Sequence, residues 1–183
     1  MDAAITKGQN HPVQDIDTHT DTREYLSHAR RDAERKGYDD WLIVDVDAHH
    51  VESVSWSEVT QYIEDPVVRH QATMYQAERV GAPPYGLNGD LGLRYQDVGG
   101  RIPHQSSQRE RVEETDVHRD VVLTRRAMHG LAVDYMVLFP TPMLFLGMHP
   151  QTDMEIFLSQ AYNRWLTERI LPGDPGIVTL VVL

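Results

Sequence analysis

The chain has 183 residues and a formal net charge of -11, and its 40% hydrophobic and 25% charged residues are the proportions of an ordinary globular domain. With 17 Lys and Arg against 28 Asp and Glu, no basic face is expected on which a phosphate backbone would sit, so nucleic acid is excluded as a partner. The absence of cysteine rules out disulfides and thiolate metal ligands, no apolar run approaches the ~20 residues of a membrane span, and the polar N-terminus is no signal peptide; a cytoplasmic protein without membrane contact is expected.

Residues 1–20, with Gly8, Pro12 and scattered Asp and Thr, read as a flexible leader to a domain over 21–183. Tyr25, Leu26, Ala29 and Ala33 recur at helical spacing and predict a helix over 22–36 that Gly37 stops. Trp41-Leu42-Ile43-Val44-Asp45-Val46-Asp47 is a short, nearly continuous apolar run, the form of a parallel-sheet strand buried on both faces. Ser55-Trp56-Ser57-Glu58 has the form of a capping box and predicts a helix toward Asp65. Pro66 opens another that reaches about Arg79. Residues 81–112 are dense in Gly and Pro and read as a long irregular insertion.

Helical pattern resumes behind Thr115 as cap, through Val117, Val121, Val122 and Ala127 to Gly130. Residues 132–140 predict a second buried strand. A helix is expected over 152–170 with Ile156, Phe157, Leu158, Ala161, Tyr162, Trp165, Leu166 and Ile170 inward. A Pro- and Gly-rich turn at 172–176 then leads to a third buried strand over 177–183. Strands separated by helices are the grammar of an α/β fold with a parallel sheet and crossover connections. A last strand so rich in aliphatic residues is expected to be paired, so the chain is read as truncated or completed by strands from elsewhere.

The sharpest chemical feature is Val44-Asp45-Val46-Asp47-Ala48-His49-His50-Val51-Glu52. Alternate residues of a strand point the same way, so Asp47 and His49 project together from its C-terminal end. A carboxylate and an imidazole so placed suit two sides of a divalent ion, which would acidify a bound water or polarise a substrate oxygen. The spacing alone is unspecific: Asp17-Thr18-His19 repeats it in the leader with no strand before it, and acids and histidines at strand ends also serve as loop caps.

Residues 42–52 resemble the opening strand of the amidohydrolase-2 group of the amidohydrolase superfamily, which includes aminocarboxymuconate-semialdehyde decarboxylase and the dihydroxybenzoate decarboxylases. That strand carries an acid or histidine, any residue, then a histidine, and Asp47 and His49 match the two polar positions. His50 falls outside the pattern, and Glu52 is similar to an acid often found just after it. Residues 130–141 resemble the group's second strand with its Phe-Pro-Thr turn, and Ala161-Tyr162-Asn163-Arg164-Trp165-Leu166 its Asn-Asp-Trp-Leu helix. The resemblance implies the N-terminal portion of a (β/α)8 TIM barrel, about three of its eight strands, with Asp47 and His49 as metal ligands. It implies Zn2+ as the ion, with Mn2+ as the alternative, and places a further histidine and aspartate ligand beyond Leu183.

The implied activity is non-oxidative decarboxylation of a small aromatic or unsaturated carboxylic acid. Hydrolysis of an amide, ester or lactone is the alternative, because one scaffold hosts several chemistries. His149, Thr141 and Arg94 are the candidates for substrate contact, with Arg101 and His104 beside Arg94 in the insertion. The catalytic acid–base residue is unassigned. His149 also suits a plain loop position near a helix start, His129 suits a helix C-terminus, and His70 and His118 suit a solvated helix face. The remaining expectation is of another class: a non-catalytic module that pairs through its exposed strand edge. A homo-oligomer is expected in either case.

Overall fold

A computed structural model of the chain describes residues 22–50, 52–74, 112–113, 116–149, 151–180 and 182. The leader, the Asp17-Thr18-His19 pair, Thr115 and all of the predicted insertion except Val112, including Arg94, Arg101 and His104, lie outside the described residues.

Helix α1 spans Thr22–Lys36 and ends on Gly37, whose φ of 69° is a left-handed conformation that glycine adopts without Cβ strain. Strand β1 spans Val44–His50. Three short helical turns follow instead of one predicted helix: a 3-10 turn at Glu52–Ser55, α2 at Trp56–Val59 and a 3-10 turn at Thr60–Tyr62. Ser55 stands at the N-cap position, but its side chain makes no cap hydrogen bond. Helix α3 spans Pro66–Met74, and Asp65 caps it by accepting from the N–H groups of Val67 and Val68 at 2.8 and 2.9 Å.

Helix α4 spans Arg119–Leu131 and is capped by His118, whose Nδ1 accepts from the Asp120 N–H at 3.1 Å. Strand β2 spans Tyr135–Pro140, and a 3-10 segment follows at Pro142–Met148. Helix α5 at Thr152–Trp165 continues as a π-helical turn at Leu166–Ile170, so the predicted 152–170 helix stands with its last turn widened. Strand β3 is Ile177–Thr179, shorter than predicted. Among the described residues no helix is long and apolar enough to cross a membrane.

The three strands form one parallel sheet in the order β1-β2-β3, so the fold is mixed α/β. Its core lies on one face. Leu138 and Ile177 pack there with Val121 of α4, with Leu158, Tyr162 and Trp165 of α5, and with Trp56 and Ile63 from the turns after β1. Among the described residues the strands are therefore covered on one face only, where the apolar runs predict burial on both. Val46 is 67% exposed, Leu180 61%, and Val44 and Tyr135 are exposed as well, because all the described helices that cover the sheet stack on the Leu138 face. Ile156, expected inward, is also exposed, whereas the other predicted positions of α5 that pack inward, from Leu158 to Ile170, are buried.

One irregularity in β1 decides where its side chains go. Asp45 pairs with Met136 and Ala48 with Leu138, so β1 holds one residue more than β2 across this stretch, a β-bulge. The Asp47 N–H donates to Asp45 Oδ1 at 3.0 Å inside the bulge. Beyond it, Ala48 and His50 fall on the core face with Leu138 and Pro140, while His49 pairs with Phe139 on the bare face.

Candidate functional site

The C-terminal end of β1 brings Asp47 and His49 together on the bare side of the sheet. Asp47 is well exposed, and its Oδ1 lies 3.4 Å from His49 Nε2. The other ring nitrogen of His49, Nδ1, is 3.2 Å from the Pro140 carbonyl oxygen across the β1–β2 pair. A carbonyl only accepts, so Nδ1 carries the proton, and Nε2 is the nitrogen turned toward the Asp47 carboxylate. A tetrahedral ion bonded to a nitrogen and an oxygen at about 2.1 Å each sets them roughly 3.4 Å apart. A protonated ring facing the carboxylate as an ion pair is the other state that this separation suits. Among the described residues no group of three or more His, Asp or Glu is close enough to hold a metal, so a divalent ion here would need further donors.

The next layer is built by Glu52, which is fully buried. Its carboxylate accepts from the Thr141 N–H through Oε2 at 2.9 Å and from the Met143 N–H through Oε1 at 2.6 Å. Pro142 between them has no N–H, so the two donors flank a residue that cannot compete. Burial pushes the Glu52 carboxyl up to about 7, against the opposing pull of His50 and of the backbone N–H groups. Thr141 is itself buried, and its Oγ1 has no hydrogen-bond partner among the described residues. Leaving such a hydroxyl unmet costs about 1–3 kcal/mol, so a polar group that reached it would be bound favourably.

His50 points the other way, into the core. Its Nδ1 is 3.0 Å from Asp120 Oδ2 and its Nε2 is 2.7 Å from the Tyr162 hydroxyl, while the ring stacks on Trp165 at 5.9 Å. The carboxylate accepts from Nδ1 and the tyrosine hydroxyl meets Nε2, so every polar atom of the buried imidazole is used. Burial pushes the Asp120 carboxyl up, but the hydrogen bond and charge of His50, with His118 and Arg119 nearby, hold it below the usual carboxylate range. Burial and the carboxylates of Glu52 and Asp120 drive Tyr162 well above an ordinary phenol, so it remains an O–H donor.

The other candidates are scattered. His149 is buried just after the 3-10 segment, and its Nδ1 accepts from the Gln151 N–H at 3.0 Å. His118 is not a solvated helix-face residue: its side chain is 8% exposed, with Nε2 3.3 Å from Glu58 and the ring edge-on to Trp165 at 5.5 Å. His70 and His129 are exposed. A groove of about 270 Å3 between α5 and the turn at 62–64 is lined by Tyr62, Glu64, Phe157 and Arg164 and contains none of the candidate residues.

No protein-family model matches the chain, and neither does any curated protein or solved structure. The case for the site therefore rests on its own geometry. Sequence reasoning placed Asp47 and His49 but missed the roles of His50, Asp120 and Tyr162, because these residues meet only when α4 and α5 pack on β1. The one signal available was the doubled histidine itself, since two adjacent strand residues must face opposite sides of a sheet.

Proposed function

We propose that this chain provides the opening strand and the first two ligands of a divalent-metal site in an amidohydrolase-type (β/α)8 barrel, and that the enzyme decarboxylates a small aromatic or unsaturated carboxylic acid without oxidation. The observation that carries the reading is the pair of contacts made by His49. The Pro140 carbonyl holds its Nδ1 proton and leaves Nε2 facing Asp47 at the donor spacing of a tetrahedral ion. The bare apolar face of the parallel sheet, where this pair lies, would be the inward face of the barrel, and the C-terminal strand end is where such barrels carry their chemistry.

Zn2+ is the expected ion and Mn2+ the alternative; when bound, it would supply Lewis acidity toward a substrate oxygen. Asp47 would contribute the charge and His49 the neutral nitrogen. The unmet Thr141 hydroxyl would receive a substrate oxygen. Arg94 would pair with the substrate carboxylate through its planar fork, and His149 is the further candidate for substrate contact. Hydrolysis of an amide, ester or lactone uses the same pair of ligands, and product analysis separates it from CO2 release.

The deciding measurement is the Zn2+ content of the purified chain beside the double variant Asp47→Ala/His49→Ala. Near-stoichiometric zinc in the parent and none in the variant would place the ion at these residues. Equal metal in both proteins would sink the ligand assignment, and none in either would show that the two ligands hold no zinc without further donors.

A second reading draws on the outward edges of β1 and β3, which pair with no described strand, and on Trp41 and Leu42, more than 70% exposed. On it the chain is a non-catalytic module that joins another copy through a strand edge. Sedimentation showing a dimer that Trp41→Lys dissociates, with no zinc bound, would favour it.

A further inference from the structure

The peptide group between Pro140 and Thr141 is held at both ends. Its carbonyl oxygen accepts from His49 Nδ1 at 3.2 Å, and its N–H donates to Glu52 Oε2 at 2.9 Å. A trans peptide directs these two groups to opposite sides, so imidazole, peptide and carboxylate form one continuous hydrogen-bonded chain. Such chains polarise along their length: a carboxylate on the N–H makes the carbonyl a better acceptor for the imidazole proton. The second oxygen of Glu52 takes the Met143 N–H, which fixes the carboxylate across the turn. Glu52 sits only three residues after His49, yet no direct contact between the two side chains is needed.

We infer that Glu52 is a positioning residue for His49, acting through the Pro140–Thr141 peptide to hold the imidazole in its Nδ1–H form with Nε2 turned toward Asp47. The role is that of the outer partner of a metal-ligating histidine, which fixes the tautomer and orientation of the ring, here transmitted through a peptide group. The tautomer claim stands on the contacts alone; its consequence for zinc rests on the function proposed above.

The test reads the imidazole nitrogens of the metal-free protein by long-range 1H–15N NMR, at a pH where the 15N shifts themselves show a single ring proton. His49 is expected as the Nδ1–H tautomer in the parent. In Glu52→Gln an amide NH2 must face one of the two backbone N–H donors, and His49 is expected to shift toward a mixture with the Nε2–H form while His50 keeps its tautomer. In Glu52→Asp, whose shortened carboxylate retains the charge, a smaller shift is expected. A merely structural role would lower the melting temperature and leave the His49 tautomer unchanged, and that result in a folded variant overturns the inference.

Two observations on the parent alone also decide it, should both variants fail to fold. The Thr141 nitrogen is expected to show scalar coupling to Glu52 Cδ across the hydrogen bond. Absence of that coupling, or His49 in the Nε2–H form, overturns the inference. Where the parent binds Zn2+, Glu52→Gln is expected to weaken it by about 10–100-fold. A parent that binds no zinc but whose His49 tautomer responds to Glu52 shows that this chain holds no metal by itself and leaves the positioning role standing.

Discussion

His49 and His50 are neighbours in the chain and opposites in chemistry. His49 faces the bare side of the sheet with one nitrogen committed to a backbone carbonyl, while His50 is 6% exposed with both nitrogens committed to side chains. The environment, not the residue type, decides which of them is available to a ligand. The Tyr162–His50–Asp120 chain links α5, β1 and α4, so it sets how both helices sit on the strand. Tyr162→Phe removes the hydrogen-bond partner of a buried Nε2 and is expected to destabilise the protein by about 1–3 kcal/mol. For a chain of this size that corresponds to a fall in Tm of roughly 2–10 °C, read by differential scanning calorimetry. An unchanged Tm would show that the hydroxyl does not hold His50.

Among the elements, β1 shows how one extra residue redirects chemistry. In a regular strand Asp45, Asp47 and His49 would share a face; the bulge turns Asp45 to the Met136 side and leaves Asp47 and His49 outward. Nothing in the composition of the segment announces a bulge, because its cause is the fit of β1 to β2. The contact between α1 and α4 depends on a glycine instead. A Cβ at Gly130 would lie 2.8 Å from Leu26 Cβ and 3.2 Å from the Leu26 carbonyl oxygen. Alanine is the better helix former by about 1 kcal/mol, but overpacking costs about 1–3 kcal/mol and the main-chain oxygen has little room to retreat. Gly130→Ala is therefore expected to be net destabilising and to accelerate amide exchange along α1 more than along α5. A rise in Tm would show that the two helices separate freely.

At the scale of the molecule, two buried acids oppose each other in pH. The folded state raises the Glu52 carboxyl to about 7 from an ordinary 4.5, so it takes up a proton more readily than the unfolded chain does. That contribution is complete below about pH 4.5 and is lost as pH rises through 7. At about 1.36 kcal/mol per unit it is on the order of 3 kcal/mol. Asp120, lowered in the fold, works the other way and loses its contribution as pH falls below the ordinary carboxylate range. The net charge of -11 adds self-repulsion in neutral buffer. Tm is expected to be higher near pH 5 than near pH 8, and Glu52→Gln, which has no carboxyl to titrate, should narrow the gap. A gap that stays the same in Glu52→Gln would remove Glu52 as its source.

The sequence by itself determined the parallel α/β order, the span of α1, the first turns of α3 and α5, and the Asp47–His49 pair at a strand end. These follow from local rules of apolar periodicity, capping and strand alternation that involve neighbours in the chain. Tertiary structure alone decided which face of the sheet is covered and that the 52–62 stretch breaks into short turns. It also decided that Glu52 reaches the peptide on which His49 rests. These depend on residues 70 to 112 positions apart meeting in space, as His50 does with Asp120 and Tyr162, and no local pattern encodes such a meeting.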